Sequence, residues 1–262
     1  MTWTTRPRSN GPGGSRAIFA GQGSTRIILL HGVGLNADAW GAQIDALCPN
    51  YAVAAYDMPG HGSAPRLTET PSLQAYTDHV AGALVAPGIV VGHSMGAMIA
   101  LDLAIRYPHL VQAVVTLNAI YQRSESAAIA VRARAAALDG ITPVDPSQTL
   151  KRWFEEGTSS AAWACDRWLT QVDPAGYRDA YTVFATSNGP ALADLRRLKM
   201  PIFCLTGARD PNSTPAMSQA LAEIAQKGHS VAIRGAAHML PMTHAPEVNS
   251  HLALFFDHCF TR

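Results

Sequence analysis

The sequence is sparing with cysteine and with charge. Its four cysteines, Cys48, Cys165, Cys204 and Cys259, are scattered over 262 residues with no CxxC pair. That excludes a zinc ribbon or a dithiol redox site and predicts buried, reduced thiols. Charged residues make up only 15% of the chain and leave a net charge of +1. With no long Lys/Arg run and no acidic tail, neither a nucleic acid nor an anionic membrane is expected as the main partner. No apolar run reaches the roughly 18 residues of a membrane span. The first stretch, "MTWTTRPRSNGPGGSRAIFAG", lacks the apolar segment of a signal peptide. There is no HExxH and no Gly-Lys-Ser/Thr after a glycine loop, so neither a metal site nor a phosphate loop is predicted. These absences point to a cytoplasmic protein acting on a small molecule, without cofactor, nucleic acid or membrane.

What is present is a chain with 48% hydrophobic residues, enough for one large core. "SNGPGG" reads as a turn closing a hairpin that ends in "RAIFAG". Apolar, strand-like runs follow in "TRIILLHGVG", "YAVAAYDMPGHGSAP", "GIVVGH" and "HLVQAVVTLN". Between them lie helical patterns from about Asn36 to Leu47, capped by Asn36 or Asp38, and from about Leu73 to Leu84, capped by Ser72. Such alternation predicts βαβ units and a mostly parallel sheet flanked by helices. From Tyr121 to about Leu195 the strands stop, and short helices are predicted in "SAAIAVRARAAALDG", "LKRWFEEG", "AAWACDRWLTQ" and "GYRDAYTVFATSN". The strand pattern resumes at "MPIFCLTGARD" and "HSVAIRGAAH", and a last helix runs from about Pro246 to Cys259. The predicted organisation is an α/β core over residues 1–120 and 196–262, interrupted by a helical cap over 121–195.

"GHSMG", residues 92 to 96, fits G-x-S-x-G between a strand and a helix. A serine at that junction sits on a sharp turn that exposes its hydroxyl at the carboxyl edge of the sheet. Gly92 and Gly96 let the turn close, and the amide of Met95 faces a developing anion from the helix N-terminus. A serine hydroxyl needs a base, and the base needs a carboxylate, in the chain order Ser, Asp or Glu, His. Asp210 closes "FCLTGARD" after a strand, where functional groups collect. His238 follows "VAIRGAA" beyond the last strand, with His244 as its rival. Ser94, Asp210 and His238 are therefore the candidate triad. "LLHGVG" brings a second amide, that of Val33, to the oxyanion, and His31 reads as a scaffold for that loop. Asp57 and His61 in "DMPGHGSAP" read as loop organisers.

Taken in order, "HGVG", "DMPGHGSA", "GHSMG", "LTGARDPNSTP" and "RGAAHMLPMTHAPEVNSHLALFF" resemble the α/β-hydrolase superfamily. The later half is similar to its 3-oxoadipate enol-lactonase branch, through "RWFEEG", "DPAGYRDAY" and "LRRLKMPIFCLTGARDPNSTP". The resemblance implies a serine esterase or lactonase working through Ser94, Asp210 and His238, with the Val33 and Met95 amides as oxyanion donors. Hydrolysis of a C–C or amide bond in a ring-cleavage product, and a receptor on the same fold, are the alternatives. The aromatics of the insertion, Tyr121, Trp153, Trp163 and Trp168 foremost, with Phe154 and Tyr177, are expected to line the substrate pocket. One of Arg152, Arg167 and Arg178 could meet a substrate carboxylate there.

Overall fold

The computed structural model describes residues 3–154 and 159–260. An opening hairpin of β1 (Ser9–Asn10) and β2 (Arg16–Ala20) leads into β3 (Arg26–Leu30). Then follow α1 (Gly41–Leu47), β4 (Ala52–Asp57), α2 (Leu73–Ala83), β5 (Gly88–His93), α3 (Met95–Arg106) and β6 (Val111–Leu117). The chain next leaves the sheet for α4 (Glu125–Ala136), α5 (Ser147–Phe154), α6 (Ser160–Gln171), α7 (Pro174–Thr186) and α8 (Leu192–Arg197). It returns through β7 (Ile202–Gly207), α9 (Pro215–Ile224), β8 (Gly228–Ile233), α10 (Leu240–Thr243) and α11 (Ala245–Phe260). Glu155–Gly157, the tail of the "LKRWFEEG" helix prediction, lie outside the described residues. None of the described helices is long and apolar enough to cross a membrane.

The sheet order is β1-β2-β4-β3-β5-β6-β7-β8. Only the β1–β2 and β2–β4 pairings are antiparallel; from β4 through β8 the neighbours run parallel. Side chains alternate across the strands, and that alternation divides the core in two. Ile28, Leu30, Val90, Val114, Ile202 and Cys204 pack on the side of α2, α3 and α9, against Tyr76, Val80, Leu101 and Leu221. Ile27, Leu29, Ile89, Val91, Val115, Phe203 and Leu205 face the other way, against Ile44, Leu47, Val248, Leu252 and Phe256. A strand buried on both faces has no room for polar positions, which is why these segments read as continuous apolar runs.

Local signals set the element ends. The Ser72 hydroxyl accepts from the Ala75 amide and caps α2. The helix predicted from Asn36 is divided: Ala37–Trp40 form a tight 3₁₀ turn, capped by the Asn36 side chain, before α1 begins at Gly41. Asp38, in the first turn of this element, is held from outside it. Its carboxylate takes the Arg6 amide at 2.9 Å and the Arg8 guanidinium at 2.8 Å. Asp57 is fully buried and accepts from the amides of Ala37 and Ser63, the Ser63 hydroxyl and Arg8. Burial alone would raise the pKa of its carboxyl; these donors outweigh that and hold it below the ordinary value. Asp57 thus ties the N-terminal segment, the loop after β3 and the loop after β4 into one support.

Candidate active site

Ser94 sits between β5 and α3 with φ 55° and ψ −115°, a conformation that L-residues other than glycine rarely adopt. Holding it costs about 1–3 kcal/mol, which the surroundings must supply. The Ser94 amide donates to the Leu117 carbonyl of β6 at 2.9 Å, and its own carbonyl accepts from Ala97 at 3.0 Å. The two glycines of the motif have no room for a side chain. A Cβ on Gly92 would lie 2.1 Å from the Gly96 carbonyl oxygen, and one on Gly96 2.1 Å from that of Leu30. Sequence and backbone thus agree on why glycine brackets this serine.

Asp210 follows β7 and His238 lies in the loop after β8. Their side chains meet, with His238 Nδ1 2.7 Å from Asp210 Oδ2, and both are almost fully buried. The carboxylate is saturated with donors. Oδ1 accepts from the amides of Asn212 and Ser213, at 2.8 and 3.2 Å; Oδ2 accepts from Asn118 Nδ2 at 2.6 Å as well as from the imidazole. Burial would raise the Asp210 pKa, but the imidazole and the two amides outweigh it and hold the carboxyl below its usual value. An ionised carboxylate only accepts, so Nδ1 of His238 carries the proton of this hydrogen bond. His244, the rival histidine, is instead engaged with its neighbour Thr243 at 2.9 Å.

Two further histidines act as struts. His31 Nδ1 donates to the Gly32 carbonyl at 2.8 Å, while Nε2 accepts from the Met58 amide at 2.9 Å, fixing the loop that carries Val33. His93 donates from Nε2 to the His238 carbonyl at 2.9 Å. Desolvation, reinforced by a neighbouring histidine in each case, pushes both rings down to about 3, so they stay neutral. Gly32 abuts the nucleophile so closely that a Cβ there would lie 3.1 Å from Ser94 Cβ. The Val33 loop therefore comes up against the serine, as Met95 does from the first position of α3.

Ser94, His93, His238, Gly32 and Val33 border one cavity of about 420 Å³, a size suited to a small ligand. Its far walls come from the inserted helices: Val131, Arg134, Thr149, Arg152, Trp153, Tyr177, Tyr181 and Phe184. Trp153 stacks on His238 with ring centroids 5.7 Å apart and planes at 27°. Of the aromatics expected to line the pocket, Trp153 and Tyr177 border this cavity. Trp163 is 66% exposed. The face of α6 that packs inward carries Ala161, Ala164, Cys165 and Trp168, against Leu35, Met239 and Met242, and residue 163 falls off that stripe. Trp168 borders a different hollow, beside Arg8, Gly60 and Arg66. Tyr121 is buried in the core beneath Gly189 without reaching the cavity. Among the arginines singled out, Arg152 borders the cavity, Arg167 bonds the Trp3 carbonyl, and Arg178 turns to Asp139 and Asp179.

Sequence reasoning missed Asn118, Arg123 and Arg134. Asn118 carried a faint signal, as a polar residue closing the apolar run "VVTLN"; its φ of 52° marks a bend that brings its amide to Asp210. The arginines carried none, because periodicity does not tell which cation of a polar helix turns inward.

A strained serine at a strand–helix turn, and a buried acid–imidazole pair at the same end of a parallel sheet, define an enzyme of hydrolase type. The chain belongs to the alpha/beta hydrolase family, whose model matches residues 27–250. It is 33% identical, over 88% of its length and 90% of the relative's, to (E)-2-((N-methylformamido)methylene)succinate hydrolase of Acinetobacter baylyi. It is 26% identical to 3-oxoadipate enol-lactonase 2 of the same organism, over 79% of each chain. In fold it is similar to an esterase from Thermogutta terrifontis, with a TM-score of 0.83, 21% identity and coverage of 98% and 99% of the two chains.

Proposed function

We propose that the protein cleaves a small carboxylic ester or lactone through a Ser94–His238–Asp210 triad and an acyl-enzyme. The observation that carries the reading is the Asp210–His238 contact of 2.7 Å at the cavity that Ser94 borders. His238 Nε2 takes the Ser94 proton as the hydroxyl attacks the carbonyl, and Asp210 steadies the imidazolium that results. The amides of Val33 and Met95 receive the oxyanion, worth about 3–4 kcal/mol per donor in comparable sites. His238 then protonates the leaving alkoxide or enolate, and water attacks the acyl-enzyme with the same histidine as base. In this reading the described helices α4 to α8 act as the cap over the serine, with Trp153 against the base.

One observation favours a second bond type. The relative at 33% identity is named for a substrate that carries an amide, so an amide nitrogen as leaving group is the second reading, on the same residues. The deciding experiment is intact mass and peptide mapping after exposure to a small fluorophosphonate, with Ser94→Ala as control. A stoichiometric adduct on Ser94, absent from the control, supports the triad and licenses a screen of esters, lactones and amides. No adduct on folded protein removes the serine-hydrolase reading and favours a ligand receptor.

A further inference from the structure

The cavity's charge is as uneven as its shape. Among the described residues, its lining holds three arginines, Arg123, Arg134 and Arg152, and no aspartate or glutamate. Among the described residues, no carboxylate pairs with any of the three. Arg123 donates from Nη1 to the Ser187 carbonyl and from Nη2 to that of Phe184, at 2.5 and 3.1 Å, and lies 4.5 Å over the Phe184 ring. Its amide is fixed as well, on Asn188 Oδ1 at 2.8 Å. Arg134 donates to the Tyr181 hydroxyl at 3.0 Å and Arg152 to Thr149 Oγ1 at 3.2 Å. Every acceptor is neutral, and a guanidinium has five N–H donors to place.

The three fall into two positions. Arg134 and Arg152, with Thr149, Tyr177 and Tyr181, also border an adjoining hollow, which Arg123 does not reach. Arg123 is partly desolvated and, among the described residues, meets no counter-charge; a neutral ligand covering it would add to that cost. Burial already pulls Arg123 down to about 10, so an arriving anion would relieve it. Arg123 on one part of the lining, and Arg134 with Arg152 where the two hollows meet, thus offer guanidinium donors from two sides.

Resting on the reading that this cavity holds the substrate, we propose that it selects a small dicarboxylate, with Arg123 binding one carboxylate and the Arg134/Arg152 pair the other. Charge-assisted, bidentate contacts of this kind fix orientation as well as affinity. They would present one acyl carbon of a doubly charged substrate to Ser94 and reject neutral esters of the same size.

The test separates binding from chemistry. Titration calorimetry on Ser94→Ala protein compares succinate, glutarate and adipate with their diamides and with sulfate. At least one diacid should bind about tenfold or more tightly than its diamide, and Arg134→Gln and Arg123→Gln should each weaken it by about tenfold. Arg134 is exposed, so its substitution does not threaten the fold even if that of Arg123 does. The proposal is overturned if no diacid outbinds its diamide, if sulfate binds as well as the best of them, or if the Arg134 variant binds unchanged. Failure of wild-type Ser94 to be labelled sinks the hydrolase reading instead and leaves the binding result standing.

Discussion

The sheet with its flanking helices and the five described helices inserted between β6 and β7 share one cavity, but they build it by different means. On the sheet side, each candidate group is placed by backbone. Ser94 is raised by a strained turn, Val33 sits in a loop pinned by His31, and Asp210 is saturated by two amides and Asn118. On the inserted side, side-chain packing decides: Trp153 rests on His238 while Trp163, on the next helix, faces solvent. Backbone devices need particular residues at particular spacings, so chemistry is written locally. Packing faces tolerate exchange, so specificity is written in the tertiary structure.

The largest effect should come from the acid. In Asp210→Asn, the amide can present an N–H where the carboxylate accepted, favouring the His238 tautomer with Nε2 protonated, which cannot take the serine proton. Turnover and Ser94 labelling should both fall by about 10⁴-fold, as when a triad carboxylate is made an amide elsewhere. A loss of less than tenfold would mean that His238 is not the base. Next in size is Gly92→Ala. Its Cβ would press on the Gly96 carbonyl at 2.1 Å, backbone against backbone, and should cost about 3 kcal/mol or more in denaturant unfolding. An unchanged midpoint would show that the elbow can relax, and the sheet side would lose its claim to rigidity.

Acid should expose the same side. The unfolded chain protonates His31 and His93 below about 6.5, whereas the native rings stay neutral down to about 3. The unfolded state therefore binds more protons across that window, and stability falls as pH falls through it. By pH 4.5 the loss should be on the order of 2–5 kcal/mol. His93→Asn should reduce the slope of unfolding free energy against pH in this range. A slope that does not respond to the substitution would place the acid sensitivity elsewhere.

Legibility in the sequence follows the same division. The parallel sheet could be read because doubly buried strands are apolar throughout, as "GIVVGH" and "FCLTG" are. Ser72 could be read as a cap because Ser at an N-cap has one simple partner. The structure brings Asp210 and His238 into contact and seats Ser94 and Val33 on the cavity, the positions that motif order and strand ends had indicated. Ala37–Trp40 could not be read as a 3₁₀ turn, because a four-residue turn and the first turn of a helix share the same Asn cap, and the contacts of Asp38 come from arginines about 30 residues earlier in the chain. Nor could the pocket wall. Large aromatics in a helical insertion are candidates by size alone, yet size does not fix which face of α6 meets the core, and the arginines that turn inward look in sequence like those that do not.

The smallest prediction is the sharpest test of the division. Trp153→Ala removes a ring stacked on His238 and should lower kcat/KM on a responsive ester by about tenfold, in line with about 1.5 kcal/mol for an aromatic contact. Trp163→Ala removes a larger exposed surface and should stay within about twofold, as solvent-facing substitutions do. The two residues have the same chemistry and stand on consecutive helices of the inserted segment, so nothing but their packing separates them. Equal losses would mean that the inserted helices close differently in solution and bring Trp163 to the substrate. A loss confined to Trp153 would mean that a single face of α5 governs the base, and that specificity can be altered there without disturbing the elbow.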